Sequence, residues 1–550
     1  MKETLKNVIF ENELAEFYLN SITDRQSVTG QITITKNGEI TAILTDLPLF
    51  FQKALQSAQE ISGKLRKLPQ IWGKILKTGQ PFYLYHPALL STSEDLEAND
   101  GLGDFDVFWQ ILEIDAAVFF DYAKKKTHYL LGYAPPSLPY DLNITSFIWD
   151  LDDFRAWLGA FVRCRYQPDL TLQKDLKETA GDRISLIADG ELAFVPYEFK
   201  SEIKEYRTAL GKIKVSRNCT LGETSLFQTE GRIKTSGFLQ ITPHRNYNVQ
   251  EAGTLYSGIE SFFRTFVSRD QQIPYPELRL SNGLHARLIV PRMAIRPQKT
   301  QSPSIYKNIF PFNQMKAEFG DYLTHYLEKS KIIQSGYSVY VKDAYSLEKN
   351  EAAFFFLAAS LEHLVNLLLH ENFTTASVLL SAMEKIIASL EEDIESLKNS
   401  HTDMALKNSL RDSKGNLEHI KKQILSNENA SLEKSLQRLY FKNRLWLAIQ
   451  FLECDFSWKE IRNFTNEFTS LRNYLAHQAS IFEIGKGTSA AMRLLPILSA
   501  TRMLTCAIIM KSVGFKKEMI TAALQSGEFT PERSAITPSC SFAELFRFDR

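Results

Sequence analysis

Two hydrophobic rhythms divide the chain. Through the first half, apolar and polar residues tend to alternate between turn residues, the period of two that lays one side of a strand on a core. Gly30-Gln-Ile-Thr-Ile-Thr-Lys36 and Glu39-Ile-Thr-Ala-Ile-Leu44 are two such runs, and the Asn37-Gly38 between them suits a type I′ hairpin turn. Further strands are predicted at Phe82 to Tyr85, Ala117 to Tyr122, His128 to Tyr133, Phe147 to Leu151, Ile184 to Ile187, Ala193 to Glu198, Lys212 to Ser216, Gly237 to Ile241 and His285 to Val290. Helices are expected at Phe50 to Arg66 and Gly253 to Phe266. This half reads as a β-rich α+β region of one or two subdomains.

Pro291 to Pro311 holds four prolines and little apolar periodicity, as a linker or long surface loop would. Beyond it the rhythm becomes helical. Phe354, Leu357, Leu361, Leu364 and Leu368 recur every three or four residues, as do Leu379, Met383, Ile386 and Leu390, with Leu397 seven residues, about two turns, further on. The polar stretch Asn399 to Asn429, with Ser413-Lys-Gly415 interrupting a weak periodicity, reads equally as a helical hairpin or an unstructured insert. Helices follow from about Ser431 to Glu453, Ser457 to Gln478 and Ser489 to Val513, making a bundle of four to six helices. The expected layout is a β-rich region over 1–305, a connection over 306–345, a helical bundle over 346–525 and a tail over 526–550. The fold class is α+β multidomain, and no repeat of solenoid period is visible.

Bulk properties change this picture little. A chain of 550 residues exceeds one ordinary core. Sixty-four basic residues balance sixty-four acidic ones, so any nucleic-acid site must be a local patch. Five scattered cysteines without a Cys-x-x-Cys pair suggest a reducing compartment. No long apolar run and no secretory signal core at the first residues are evident, so a cytoplasmic location and no membrane partner are expected.

The candidate chemistry lies in Leu471-Arg-Asn-Tyr-Leu-Ala-His477. Its helix has a core stripe at Ile461, Phe464, Phe468, Leu471 and Leu475, so Asn473 and His477 share a face beside the stripe and Arg472 projects about 100° from Asn473. An arginine fork can hold both non-bridging oxygens of an RNA phosphodiester, histidine can move a proton at the 2′-hydroxyl or leaving oxygen, and asparagine can donate a positioning hydrogen bond. A bare Arg-x4-His is a weak signal, and its structural alternative is a surface pair beside a core. The nearby Arg462-Asn463, followed by Glu467 in place of histidine, is an internal control.

The run Arg472 to His477 resembles the Arg-polar-x3-His signature of HEPN ribonucleases, over about the last 200 residues, and the β-rich half before it resembles the layout of the ApeA group of antiphage abortive-infection proteins. The first resemblance implies an all-α HEPN-type bundle, a metal-independent endoribonuclease that needs no cofactor, a homodimer joined through the helical domain, and 2′,3′-cyclic phosphate products. The second implies tRNA, cut in the anticodon loop, and a phage-derived activator. Many HEPN proteins place a polar or acidic residue from an earlier helix near the motif, and Glu362, in Ser360-Leu-Glu-His363, matches by position, with a solvated helix residue as the equal alternative. Tyr474 could stack on a base or pack at an interface. Lys434, Arg438 and Lys442 recur every four residues as a basic stripe on the helix before the motif helix, suited to a phosphate backbone or simply solvated.

No Walker loop, Gly-x-Gly-x-x-Gly or His-Glu-x-x-His occurs, and His363 and His370 are too far apart for a helical ligand pair. The leading expectation is a defence ribonuclease controlled by its β-rich half. A noncatalytic dimeric assembly or ligand-binding protein and a ribonuclease toxin of a toxin–antitoxin pair are the competing ones.

Overall fold

The computed structural model describes residues 10–19, 27–35, 38–45, 71–92, 109–120, 142–158, 202–221, 233–267, 272–291, 310–330, 333, 350–372, 376–396, 404–425, 440–454, 458–477 and 487–526. It has a large antiparallel sheet in the N-terminal half and helices in the C-terminal half. The chain divides into two compact units between Thr324 and His325. That division falls inside the expected connection, of which residues 312–315 and 319–330 are helical.

In the first unit, β1 (Phe10–Leu19), β2 (Ser27–Ile34), β3 (Ile40–Thr45), β4 (Ile71–Ile75), β5 (Pro81–Thr92) and β6 (Trp109–Phe120) pair in the order β3-β2-β1-β4-β5-β6. A further pairing of β3 with β6 closes these six into a barrel, which removes the free edges an open sheet would leave. Alternation explains its interior: Ala15 and Phe17, Ile32 and Ile34, Ile40, Ala42 and Leu44, Ile71 and Ile75, and Phe82 and Leu84 all face one core. Gly73 lies opposite Phe82, and a Cβ there would strike the Phe82 ring, so glycine makes room for an aromatic that packs on Phe17 and Phe119.

The expected β2–β3 hairpin forms, but its turn is longer than Asn37-Gly38. Ile34 pairs with Ile40, the Thr35 amide donates to the Glu39 carbonyl at 3.0 Å, and the Gly38 amide donates to the Thr35 carbonyl at 2.9 Å. The reversal therefore takes three residues and ends on Gly38 at φ +73°, the geometry of a three-residue loop closed by a left-handed glycine.

Strand β6 pairs with β5 along one edge and is long enough to serve two partners along the other. Trp109 to Ile114 pair with β3, and Ala117 to Phe120 pair with β12 (His285–Ile289). From β12 the sheet continues through β11 (Glu277–Leu280), β7 (Ile144–Asp150), β10 (Ile233–Pro243), β9 (Gly211–Leu221) and β8 (Glu202–Thr208). Helix α1 (Val249–Phe266) begins at a capping box, with the Glu251 amide donating to Asn248 Oδ1 and the Asn248 amide to Glu251 Oε2. Its Phe262 and Phe263 join Phe154, Trp157, Phe312 and Phe319 in a buried aromatic cluster.

The expected strands at 128–133, 184–187 and 193–198, the helix at 50–66 and most of the proline-rich stretch lie outside the described residues. Strands β1, β4, β8 and β11 were not expected. Three of them are short or, like β8, half-exposed with charges on both faces, so alternation marks them weakly.

Among the described residues the second unit has seven helices from Asn350 onward, more than the four to six expected. They are α2 (Asn350–Asn372), α3 (Ala376–Ser396), α4 (Met404–Leu425), α5 (Phe441–Phe451), α6 (Trp458–His477), α7 (Gly487–Val513) and α8 (Lys517–Ser526). Phe354, Leu357, Leu361, Leu364 and Leu368 of α2 are all buried, and α2 packs on α5, α6 and α7. The stretch at 399–429 resolves toward the hairpin: α4 runs unbroken through Gly415 and is tied to α3 by Lys414–Glu391 and Lys421–Glu384 ion pairs. The Pro496–Val513 stretch of α7 is long and apolar enough to cross a membrane, the one such stretch among the described residues, and 88% of it is buried.

Candidate functional site

Helix α6 spans Trp458 to His477, close to the expected bounds. Ile461, Phe464 and Phe468 of its stripe are buried, with Phe468 packed on Phe354 of α2 and Phe441 of α5, whereas Leu471 is only half-buried. Burying these rings fixes the rotation of α6, and with it the direction in which Arg472 and the exposed Asn473 leave the helix. His477 is the last residue of α6, one helical turn beyond Asn473 along the backbone. The side chains of Tyr474, Leu475 and His477 lie outside the described set.

Glu362, from the middle of α2, meets the motif. Arg472 Nη2 donates to Glu362 Oε2 at 2.8 Å, across 110 residues of sequence. The other carboxylate oxygen, Oε1, accepts from Arg444 Nη2 of α5 at 2.9 Å. Arg444 also donates from Nη1 to Asn366 Oδ1 at 2.6 Å, and its Nε is buried without a hydrogen-bond partner. Both guanidinium carbons lie over the Phe441 ring, at 5.7 Å for Arg444 and 5.4 Å for Arg472, within cation–π range. One carboxylate thus gathers two arginines from two other helices over a shared aromatic floor.

The exposures differ in a way that matters for chemistry. The Arg444 side chain is 12% exposed, Glu362 26% and Arg472 34%. Arg472 therefore has the solvent access a ligand-binding guanidinium needs, while Arg444 is turned inward. These three side chains carry one positive charge in excess, which favours an anion beside them.

Arg444, Asn366 and Phe441 were not anticipated. A usable signal existed for Arg444: it directly precedes Leu445-Trp-Leu-Ala-Ile449, a run apolar on every side, so a charge there faces other helices. Of the expected basic stripe, Lys442 lies in the first turn of α5, which starts at Phe441 because its N-cap Tyr440, at ψ 143°, is not helical; Lys434 and Arg438 lie outside the described residues. Among the described residues no group of three or more His, Cys, Asp or Glu is placed to hold a metal ion. Comparison of the chain with protein-family models, curated proteins and solved structures finds no match.

Proposed function

We propose that the helical unit is a HEPN-type endoribonuclease that cleaves RNA without a metal ion, using Arg472, Asn473 and His477. The observation that supports it most is the 2.8 Å pairing of Arg472 with Glu362, which ties the motif to an acidic residue of an earlier helix and leaves the guanidinium one-third exposed. In this reading Arg472 binds the phosphate oxygens as charge builds on phosphorus, and Asn473 donates a positioning hydrogen bond. The 2′-hydroxyl attacks phosphorus and the bond to the 5′-oxygen breaks. His477 moves the proton at one of these two oxygens. The products are a 2′,3′-cyclic phosphate and a free 5′-hydroxyl.

The resemblance to the ApeA group extends the proposal to tRNA, cut in its anticodon loop, in a cytoplasmic homodimer that responds to phage infection through its β-rich unit. The test is incubation of total RNA and purified tRNA with wild-type protein and His477→Ala in EDTA, with product ends mapped and a phage-infected extract as a second arm. Cutting that leaves cyclic phosphates and disappears in the variant is expected. Equal behaviour of the two proteins in every arm overturns the reading. A noncatalytic assembly role has one observation in its favour, since Glu362 with Arg444 and Arg472 links three helices as a structural clamp would; it requires that His477→Ala keep full function in infected cells.

A further inference from the structure

We propose that Arg444 is a positioning residue that aims Arg472 through Glu362, an inference that rests on the ribonuclease reading of this site. Arg444 belongs to α5, outside the Arg472–His477 run, and points its donors inward. Glu362 and Asn366 stand one turn apart on α2, and the planar guanidinium spans both, 2.9 Å from Glu362 Oε1 and 2.6 Å from Asn366 Oδ1. A lysine ammonium cannot reproduce that fork, because its donors radiate from one atom on a flexible stem.

The consequence falls on Glu362. A partly exposed glutamate samples several rotamers, but with Oε1 held by Arg444 its Oε2 is delivered to one place, 2.8 Å from Arg472 Nη2. Arg472 is fixed from a second direction by Phe441, whose buried ring also lies beneath Arg444 and against Phe468 of α6. The carboxylate uses one edge of Arg472, and the side chain keeps enough exposure for a phosphate to meet it. Arg444, largely buried, acts on RNA only through this chain of contacts. Its loss therefore misaims the group that stabilises the transition state and leaves general RNA affinity in place, a defect in kcat rather than KM.

The experiment measures kcat and KM of the full-length protein on one purified RNA that the wild type cuts, with far-UV circular dichroism to confirm folding. Arg444→Gln and Glu362→Gln are each expected to lower kcat about tenfold to a hundredfold with KM within about threefold, and Arg444→Lys to recover only part of the loss. The double variant is expected to lose no more than the worse single one, because both break one link. A folded Arg444→Gln with wild-type kcat, a loss confined to KM, or losses that multiply in the double variant would each overturn the proposal. Should Arg444→Gln not fold, Asn366→Ala removes only the outer anchor; a fall in kcat of about threefold supports the proposal and an unchanged kcat overturns it. If His477→Ala cuts as well as wild type, the ribonuclease reading fails and this inference with it; if His477→Ala is inactive while Arg444→Gln is fully active, only the inference fails.

Discussion

Glutamate and arginine meet in both units, with opposite consequences. In the β-rich unit Glu260 and Arg264 pair at 2.8 Å, one turn apart on α1, with side chains 9% and 3% exposed. In the helical unit Glu362, Arg444 and Arg472 come from three helices and remain open by 12% to 34%. The first pair is made by local spacing and sealed, so its charges contribute to the fold and meet no ligand. The second needs three helices to pack before it exists, and it ends in a guanidinium that solvent reaches. Sealing raises the cost of breaking a pair, and opening makes the charge usable.

Of the two clusters the sealed one is the costlier to disrupt, and Arg264→Met disrupts it. Breaking this buried pair is expected to cost about 3–5 kcal/mol, read by urea denaturation followed through tryptophan fluorescence. A cost under about 1 kcal/mol would mean that Glu260 is satisfied without Arg264. Close behind come two aromatic truncations, one in a core of each unit. Phe82→Ala in the barrel and Phe468→Ala under the Arg472 cluster should each cost about 3–5 kcal/mol, but only Phe468→Ala should also slow RNA cleavage.

Smaller effects sharpen the contrast. A double-mutant cycle on Glu362→Gln and Arg472→Gln is expected to give a coupling of about 1 kcal/mol or less in stability, since both groups are a quarter or more exposed, and it should shrink as salt rises. A sealed pair would show little salt dependence. The smallest effect is that of pH on the α1 cap. The hydrogen bond from Arg245 to Glu251, aided by the Asn248 amide, holds the Glu251 carboxyl below its ordinary value of 4.5. A folded-state value that is depressed adds stability at pH above 4.5 and loses it as pH falls through the lowered value. Glu251→Gln should therefore differ from wild type in thermal midpoint near neutral pH and converge with it in strong acid; a constant difference across that range would refute the charge contribution.

The legible parts of the molecule are those where local pattern and packing agree. The α2 stripe is buried as its spacing requires, α6 has nearly the expected bounds, and strands β2, β3, β7, β9, β10 and β12 follow the alternation of their residues. In the candidate site, Arg472 and Asn473 could be placed on their helix from spacing, while Glu362 entered only through the HEPN resemblance, with a solvated helix residue as its equal alternative. For Arg444 the apolar run after it signalled only a charge facing other helices and not its partners, because the positions 362, 444 and 472 share no period and their meeting depends on how α2, α5 and α6 cross.

By itself, then, the order of residues determined which stretches become strand or helix and which face of each seeks a core, because backbone period and apolar spacing act over a few residues. Tertiary structure decided what those faces meet. The β3–β6 pairing that closes the barrel and the Glu362–Arg444–Arg472 cluster both require partners distant in the chain. Contacts of that kind form only when packing makes up for the entropy of closing long loops, and no local pattern records which partners will do so.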